Sequence, residues 1–244
     1  MNVTKFTLFQ LSTASAALVF GIAPQAGAIS LSLSSGSWNQ PVGGSGIVYQ
    51  TVASETQVRW GTPAYGGGTS LKSGVGFTGV GPSTFGLGEI FEVGQLRHFN
   101  NPIFDPASAV NLSLSLNFGN PVATQSFNLK LEIDETTNAG TCAYFSITPC
   151  ADKISLSETS MSNQFSVAGI DYTLQLLGFS LTPGGVPINE FISQEGGTNQ
   201  ASLFAKITAV EPETVPEPAT VAGTALWLLA ARWAVGNKRK KAQS

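Results

Sequence analysis

The chain has little of what catalytic and nucleic-acid-binding proteins are usually built around. Its 244 residues include one histidine, His98, and two cysteines, Cys142 and Cys150, and only 11% of the residues are charged. A single histidine excludes a metal site made of several imidazoles, and a Ser-His-Asp mechanism would have to use His98. No Gly-x-Ser-x-Gly elbow occurs in the sequence. Flanked by Arg97 and Phe99 near a strand end, His98 reads as a structural hydrogen-bonding residue. Basic residues are scarce as well: positions 29–214 hold 14 Asp and Glu against six Lys and Arg, a net charge of minus eight. Binding a phosphate backbone needs a basic face, so a nucleic-acid role is excluded.

A long hydrophobic run is also missing. The apolar stretch at 219–231 has 13 residues before Arg232. As a helix it would reach roughly 20 Å, against a hydrocarbon core of about 30 Å. Carrying it on through Trp233 to Val235 takes Arg232 along, which is tolerable because a long side chain near a helix end snorkels to the headgroups. The segment can span a membrane, but poorly. Lys238, Arg239, Lys240 and Lys241 would hold its end on the cytoplasmic side. Upstream, Pro216 and Pro218 keep the chain extended and open to a protease.

Pro216-Glu217-Pro218, a short apolar helix and a basic C-terminus, in that order, resemble the PEP-CTERM sorting segment of exopolysaccharide-producing Gram-negative bacteria and cyanobacteria. The resemblance covers positions 215–241. It implies transient insertion in the inner membrane, recognition of the Pro-Glu-Pro motif by an exosortase, and delivery to the cell surface or extracellular matrix. The N-terminus agrees with export. Lys5 precedes an apolar stretch at 14–23, and Ala26-Gly27-Ala28 offers the small-x-small pattern cut by signal peptidase. Positions 1–28 therefore read as a signal peptide with a short helix, cleaved after Ala28.

Between the two signals lie 186 residues, 29–214, enough for one domain with a sizeable core. Val110, Leu112, Leu114, Leu116 and Phe118 alternate with Asn111, Ser113, Ser115 and Asn117, the period of a strand with one wet face. Phe127, Leu129, Leu131 and Ile133 alternate with Asn128, Lys130, Glu132 and Asp134 in the same way, and Gly119-Asn120-Pro121 begins a turn between them. A hairpin is expected. Further strands are expected at 29–33, 47–52, 57–60, 154–156, 170–179 and 203–210, and no stretch of 29–214 sustains a helical period. One-sided strands without helices to cover them bury their apolar faces against each other, so the expected fold is all-β, an antiparallel β-sandwich of jelly-roll-like form. Positions 61–94 contain 11 glycines in 34 residues, which read as tight turns and long surface loops.

A second resemblance covers positions 37–210. Gln57-Val58-Arg59-Trp60-Gly61, the stretch from Phe91 to Ile103, Asp134-Glu135-Thr136-Thr137-Asn138, Cys150-Ala151-Asp152 and Gly169-Ile170-Asp171-Tyr172 are similar to the choice-of-anchor K domain. The resemblance implies an extracellular module joined to one of several surface-sorting signals. It implies no catalytic residues.

Cys142 and Cys150, alone in an exported chain with Gly140 and Pro149 to supply turns, are expected to form a disulfide. Asp134, Glu135, Asn138 and Asp152 are the densest group of oxygen donors and the candidate calcium ligands, although EF-hand spacing is absent and Asx turns in a solvated loop are the simpler reading. No other cofactor is implied. Trp38, Trp60 and Tyr65 lie near Gly- and Pro-rich stretches, where aromatic faces can stack on sugar rings. The reading that follows is a non-enzymatic surface or matrix protein with extracellular polysaccharide as candidate ligand. The alternative is a glycan-active enzyme using two of Glu132, Glu135, Glu158, Glu190 and Glu195.

Overall fold

Two antiparallel sheets with their apolar faces on one shared core make up the body. The computed structural model describes residues 28–147, 149–158, 161–182 and 185–210. The expected sorting segment, and all of the expected signal peptide but Ala28, lie outside the described residues. The first sheet runs, edge to edge, β14 (Glu190–Ser193), β11 (Asp152–Leu156), β10 (Val122–Asp134), β9 (Ala107–Asn120), β1 (Ile29–Gly43) and β6 (Ser83–Phe85). The second runs β12 (Met161–Val167), β13 (Ile170–Ser180), β15 (Gly197–Val210), β7 (Ile90–Asn100), β5 (Ser73–Gly79), β3 (Glu55–Trp60) and β2 (Val48–Val52). A small ribbon pairs β4 (Thr62–Pro63) with β8 (Ile103–Phe104). Among the described residues the helical structure is one 3₁₀ turn, Thr69–Leu71.

The expected hairpin is β9 and β10, paired from Val122 opposite Gly119 to Glu132 opposite Ala109. Alternation sends Leu112, Leu114, Leu116 and Phe118 inward with Phe127, Leu129, Leu131 and Ile133. They meet Val58, Trp60, Val75, Phe77, Leu96, Leu174 and Leu203 of the opposite sheet in one cluster. Each such side chain contributes about 1.5–3 kcal/mol by leaving water. The outward residues of the hairpin bond across strands instead: Ser113 Oγ donates to Asn128 Oδ1 at 2.9 Å, and Thr124 Oγ1 to Asn117 Oδ1 at 2.8 Å.

The glycine-rich stretch is only partly loop. Gly74, Gly76 and Gly79 lie in β5 and Gly94 in β7. They are small because other groups occupy the space a Cβ would need. A Cβ on Gly94 would come within 2.3 Å of the Phe77 ring, and one on Gly74 within 2.3 Å of the Val58 carbonyl oxygen.

Candidate functional site

Six of the eight buried side-chain nitrogen and oxygen atoms that lack a hydrogen-bond partner, among the described residues, belong to four neighbouring acids and amides and one imidazole. They are His98 Nε2, Asn100 Oδ1, Glu135 Oε2, Asp152 Oδ2 and both carboxylate oxygens of Glu195. A native core leaves very few such atoms unpaired, so a group of them calls for a physical cause.

Strand geometry brings them together. His98 and Asn100, two residues apart near the end of β7, face inward with Leu96, and neither is accessible to solvent. Asp152 opens β11, and Glu135 follows the last residue of β10. Asp134 pairs with Lys153, so the next step outward along the same two strands sets Glu135 beside Asp152. Glu195 sits in the turn between β14 and β15, which is ordered by Asn199: its Nδ2 donates to Ser193 Oγ at 2.8 Å and to the Gln194 carbonyl at 3.1 Å. One ring nitrogen of His98 and one carboxylate oxygen each of Glu135 and Asp152 lie within 4.8 Å of one another. These three residues, with Glu195 close by, are the ones that could hold a metal ion.

The immediate partners of the group are only partial. Asp152 Oδ1 accepts from the Thr136 backbone N–H at 2.8 Å and from Thr136 Oγ1 at 3.2 Å, leaving Oδ2 free. His98 Nδ1 meets Ser193 Oγ at 2.7 Å. Burial, then the nearby charges of Asp152 and Glu195, holds the Glu135 carboxyl far above the usual carboxylate range. Burial raises Asp152 as well, against the Thr136 hydrogen bonds that lower it. Glu195 is pushed up to about 7 by burial and then by Asp152, with the Asn138 side chain nearby holding the shift back. His98 is pushed down to about 3, first by burial and then by the charge of Arg59, so the imidazole is neutral. Arg59 itself is stacked 3.5 Å from the centre of the Phe99 ring and donates to the Lys72 carbonyl, with its Nε buried and unpartnered.

These shifts have a consequence for stability. A carboxyl whose folded pKa exceeds its unfolded value stabilises the fold below the unfolded pKa and loses that contribution as pH rises through the folded one. In metal-free buffer the urea midpoint is therefore expected to fall from about pH 4 upward, through about 7 where Glu195 ionises, and further on the alkaline side through Glu135. A midpoint that rises steadily across that range would contradict the geometry.

Of the expected calcium ligands, the structure gathers Glu135 and Asp152 and brings Asn138 alongside Glu195. Asp134 stays close enough for its charge to raise Asp152, but its carboxylate takes another partner. That residue is on the wet face of β10, where it accepts a hydrogen bond from the Tyr144 hydroxyl. His98 and Glu195 had no sequence signal as members, because they reach the group from β7 and from the β14–β15 turn. The expected disulfide is formed: Cys142 and Cys150 are bonded, inside the loop whose two feet are Glu135 and Asp152.

The three candidate stacking aromatics part company. Trp60 is fully buried in the core and presents no face to a sugar. Trp38 is 7% exposed, its indole N–H donating to the Thr56 carbonyl at 2.8 Å, so only an edge reaches the surface. Tyr65 is 89% exposed. The Trp38 edge borders an open groove with Tyr49, Gln50, Thr51 and Gln57. Tyr49, half exposed on β2, was not singled out from the sequence, and only the alternation of that strand pointed to it.

No protein-family model matches the chain, and no curated protein matches it.

Proposed function

We propose that this chain is an exported, surface-sorted protein without enzymatic activity, serving as a component of the cell surface or of an exopolysaccharide matrix. The observation that carries the reading is the order Pro216-Glu217-Pro218, short apolar run, basic cluster Lys238 to Lys241, at the opposite end from a signal-peptide pattern. Signal peptidase and an exosortase are its partners during export, and the inner membrane is an intermediate stop. The body between the signals is a jelly-roll-like sandwich of the choice-of-anchor K kind. A disulfide within it suits an oxidising compartment. Its ligand class is carbohydrate, and the groove of Trp38, Tyr49, Gln50 and Gln57 supports that reading with aromatic surface beside amides. An enzymatic reading has less support. Glu135 and Glu195 are drawn into the interior group, whereas Glu132, Glu158 and Glu190 stand on the exposed surface.

Replacing Pro216-Glu217-Pro218 by three alanines is expected to leave the protein in the inner membrane, read by fractionation and by mass spectrometry of its C-terminus. Surface protein that still carries Lys238 to Lys241 in the wild type would overturn the sorting reading.

A further inference from the structure

We propose that Glu135, Asp152 and His98 hold one divalent first-row transition-metal ion, of the zinc or manganese class, with Glu195 and Asn100 supplying further donors. Three carboxyl groups meet on one spot, Asp152 and Glu195 buried and Glu135 half-buried, and without a cation they must give up charge by taking protons. Two ionised groups brought out of water cost several kcal/mol each unless countered by charge or hydrogen bonds. Among the described residues no Lys or Arg forms an ion pair with Glu135, Asp152 or Glu195. Arg59 lies close enough to lower His98 but stacks on the Phe99 ring and donates through Nη1 to the Lys72 carbonyl, its Nε bonding to none of the acids, and Lys153 points to the surface, toward Tyr144 and Glu190. A doubly charged ion would neutralise the group where the side chains do not.

The imidazole is an independent pointer. His98 is inaccessible to solvent, and its Nε2 has no partner although carboxylate oxygens lie within 4.8 Å of the ring nitrogen. No hydrogen bond joins Nε2 to those oxygens, and a spread of no more than 4.8 Å is one that donors around a single ion at about 2.0–2.4 Å from each can have. Ser193 Oγ fixes the other nitrogen at 2.7 Å. With Nδ1–H donated to that hydroxyl, Nε2 carries its lone pair toward the acids, the arrangement in which a metal-binding histidine is held by its other nitrogen. The neutral imidazole is the form that ligates.

The donor set selects the ion. Calcium and magnesium take oxygen almost exclusively, whereas imidazole together with carboxylates suits zinc and its first-row neighbours. This differs from a calcium site on the surface loop, because Asp134 is turned away and a nitrogen takes its place. The ion would join β7 of one sheet to the β10–β11 loop of the other and to the β14–β15 turn that crosses between the sheets, three segments far apart in sequence. It would therefore act as a clamp across one end of the two sheets.

The test uses the full chain, produced with its export signals and purified in detergent without chelator. Elemental analysis is expected to find about one zinc or manganese ion per chain. EDTA is expected to lower the melting temperature by about 5–10 °C, the size expected for losing a ligand present well above its Kd. Zinc or manganese, but not calcium or magnesium at equal concentration, should restore it. The double variant E135Q/D152N keeps the volumes and removes two ligand charges. It is expected to bind no metal and to melt at the same temperature with and without EDTA. Cobalt loaded into the wild type should show visible absorption that H98Q alters. Three results would each overturn the proposal: no bound metal and no response to any ion; rescue by calcium alone; or metal content unchanged in E135Q/D152N.

Discussion

Gly79→Ala is expected to destabilise the protein by about 4 kcal/mol, a large part of the roughly 5–15 kcal/mol that holds a domain folded. A Cβ on Gly79 would stand 1.9 Å from the carbonyl oxygen of Ser34, and both atoms belong to backbones. No side chain can swing aside to relieve the contact. Moving β5 away from β1 would break the two bonds that tie Ser34 to Val80, the residue that follows β5. The Ser34 N–H donates to the Val80 carbonyl at 2.7 Å, its hydroxyl accepts from the Val80 N–H at 2.7 Å, and the hydroxyl donates to the Val93 carbonyl. Ser34 is 2% exposed, so water cannot replace them. The two bonds to Val80 at about 1 kcal/mol each, with about 1–3 kcal/mol for overpacking, centre on this value. Gly68→Ala is the control, because nothing lies within 4 Å of its Cβ position and its φ is −90°. That change should be neutral or slightly stabilising. Urea unfolding followed by tryptophan fluorescence compares the two, and equal midpoints would show that β5 and β1 separate freely.

The same strand shows why the fold was only partly legible in the sequence. The β9–β10 hairpin could be read because apolar and polar residues alternate along both strands without a break. β5, Ser73-Gly74-Val75-Gly76-Phe77-Thr78-Gly79, is a central strand whose alternation is hidden by glycines. Those glycines answer to atoms on other strands, Val58 and Ser34 among them, which no local pattern reports. β12, an edge strand, was missed for a different reason: Ser162, Asn163, Gln164 and Ser166 leave few apolar residues to mark a period. β1 was expected to stop at Leu33 because serines follow, but it continues to Gly43 along β9.

For the site, legibility followed distance along the chain. Glu135 and Asp152 were found because they flank one short loop. Glu195 and His98 were not, since only the pairing of β7 with β15 and of β11 with β14 brings them near. Asp134 was grouped with the acids by density, although the alternation Leu131, Ile133 inward and Glu132, Asp134 outward already assigned it to the wet face. Density along the chain and direction of the side chain are separate signals, and direction decided.

Replacing both Cys142 and Cys150 by alanine is expected to cost about 2–3 kcal/mol, the loop-closure entropy of a bridge spanning so few residues in the chain-entropy model. The sequence separation is 8, which keeps the value at the low end of the range for disulfides. The bridge acts on a loop that has little else to order it. Phe145 and Ile147 are 84% and 73% exposed, so the loop tip buries little apolar surface. Its other ties include the bonds of Gln194 to the Ile147 N–H and the Phe145 carbonyl, that of Ser146 Oγ to the Ala151 N–H, and those of Tyr144, whose hydroxyl donates to Asp134 and whose ring meets the Lys153 ammonium. Cys150, by contrast, is buried beside Ala151 at the foot of β11. Freeing it should loosen the segment from Thr136 to Asp152, and with it the Thr136 contacts that hold Asp152 Oδ1. The loss should therefore appear twice. The urea midpoint falls, and amide exchange rises at Thr136 and through the loop while the β9–β10 hairpin keeps its protection. Reduction of the wild type by dithiothreitol should reproduce both changes. A midpoint that reduction leaves untouched, or two free thiols titrating in the folded unreduced protein, would remove the disulfide from the stability of this end of the fold.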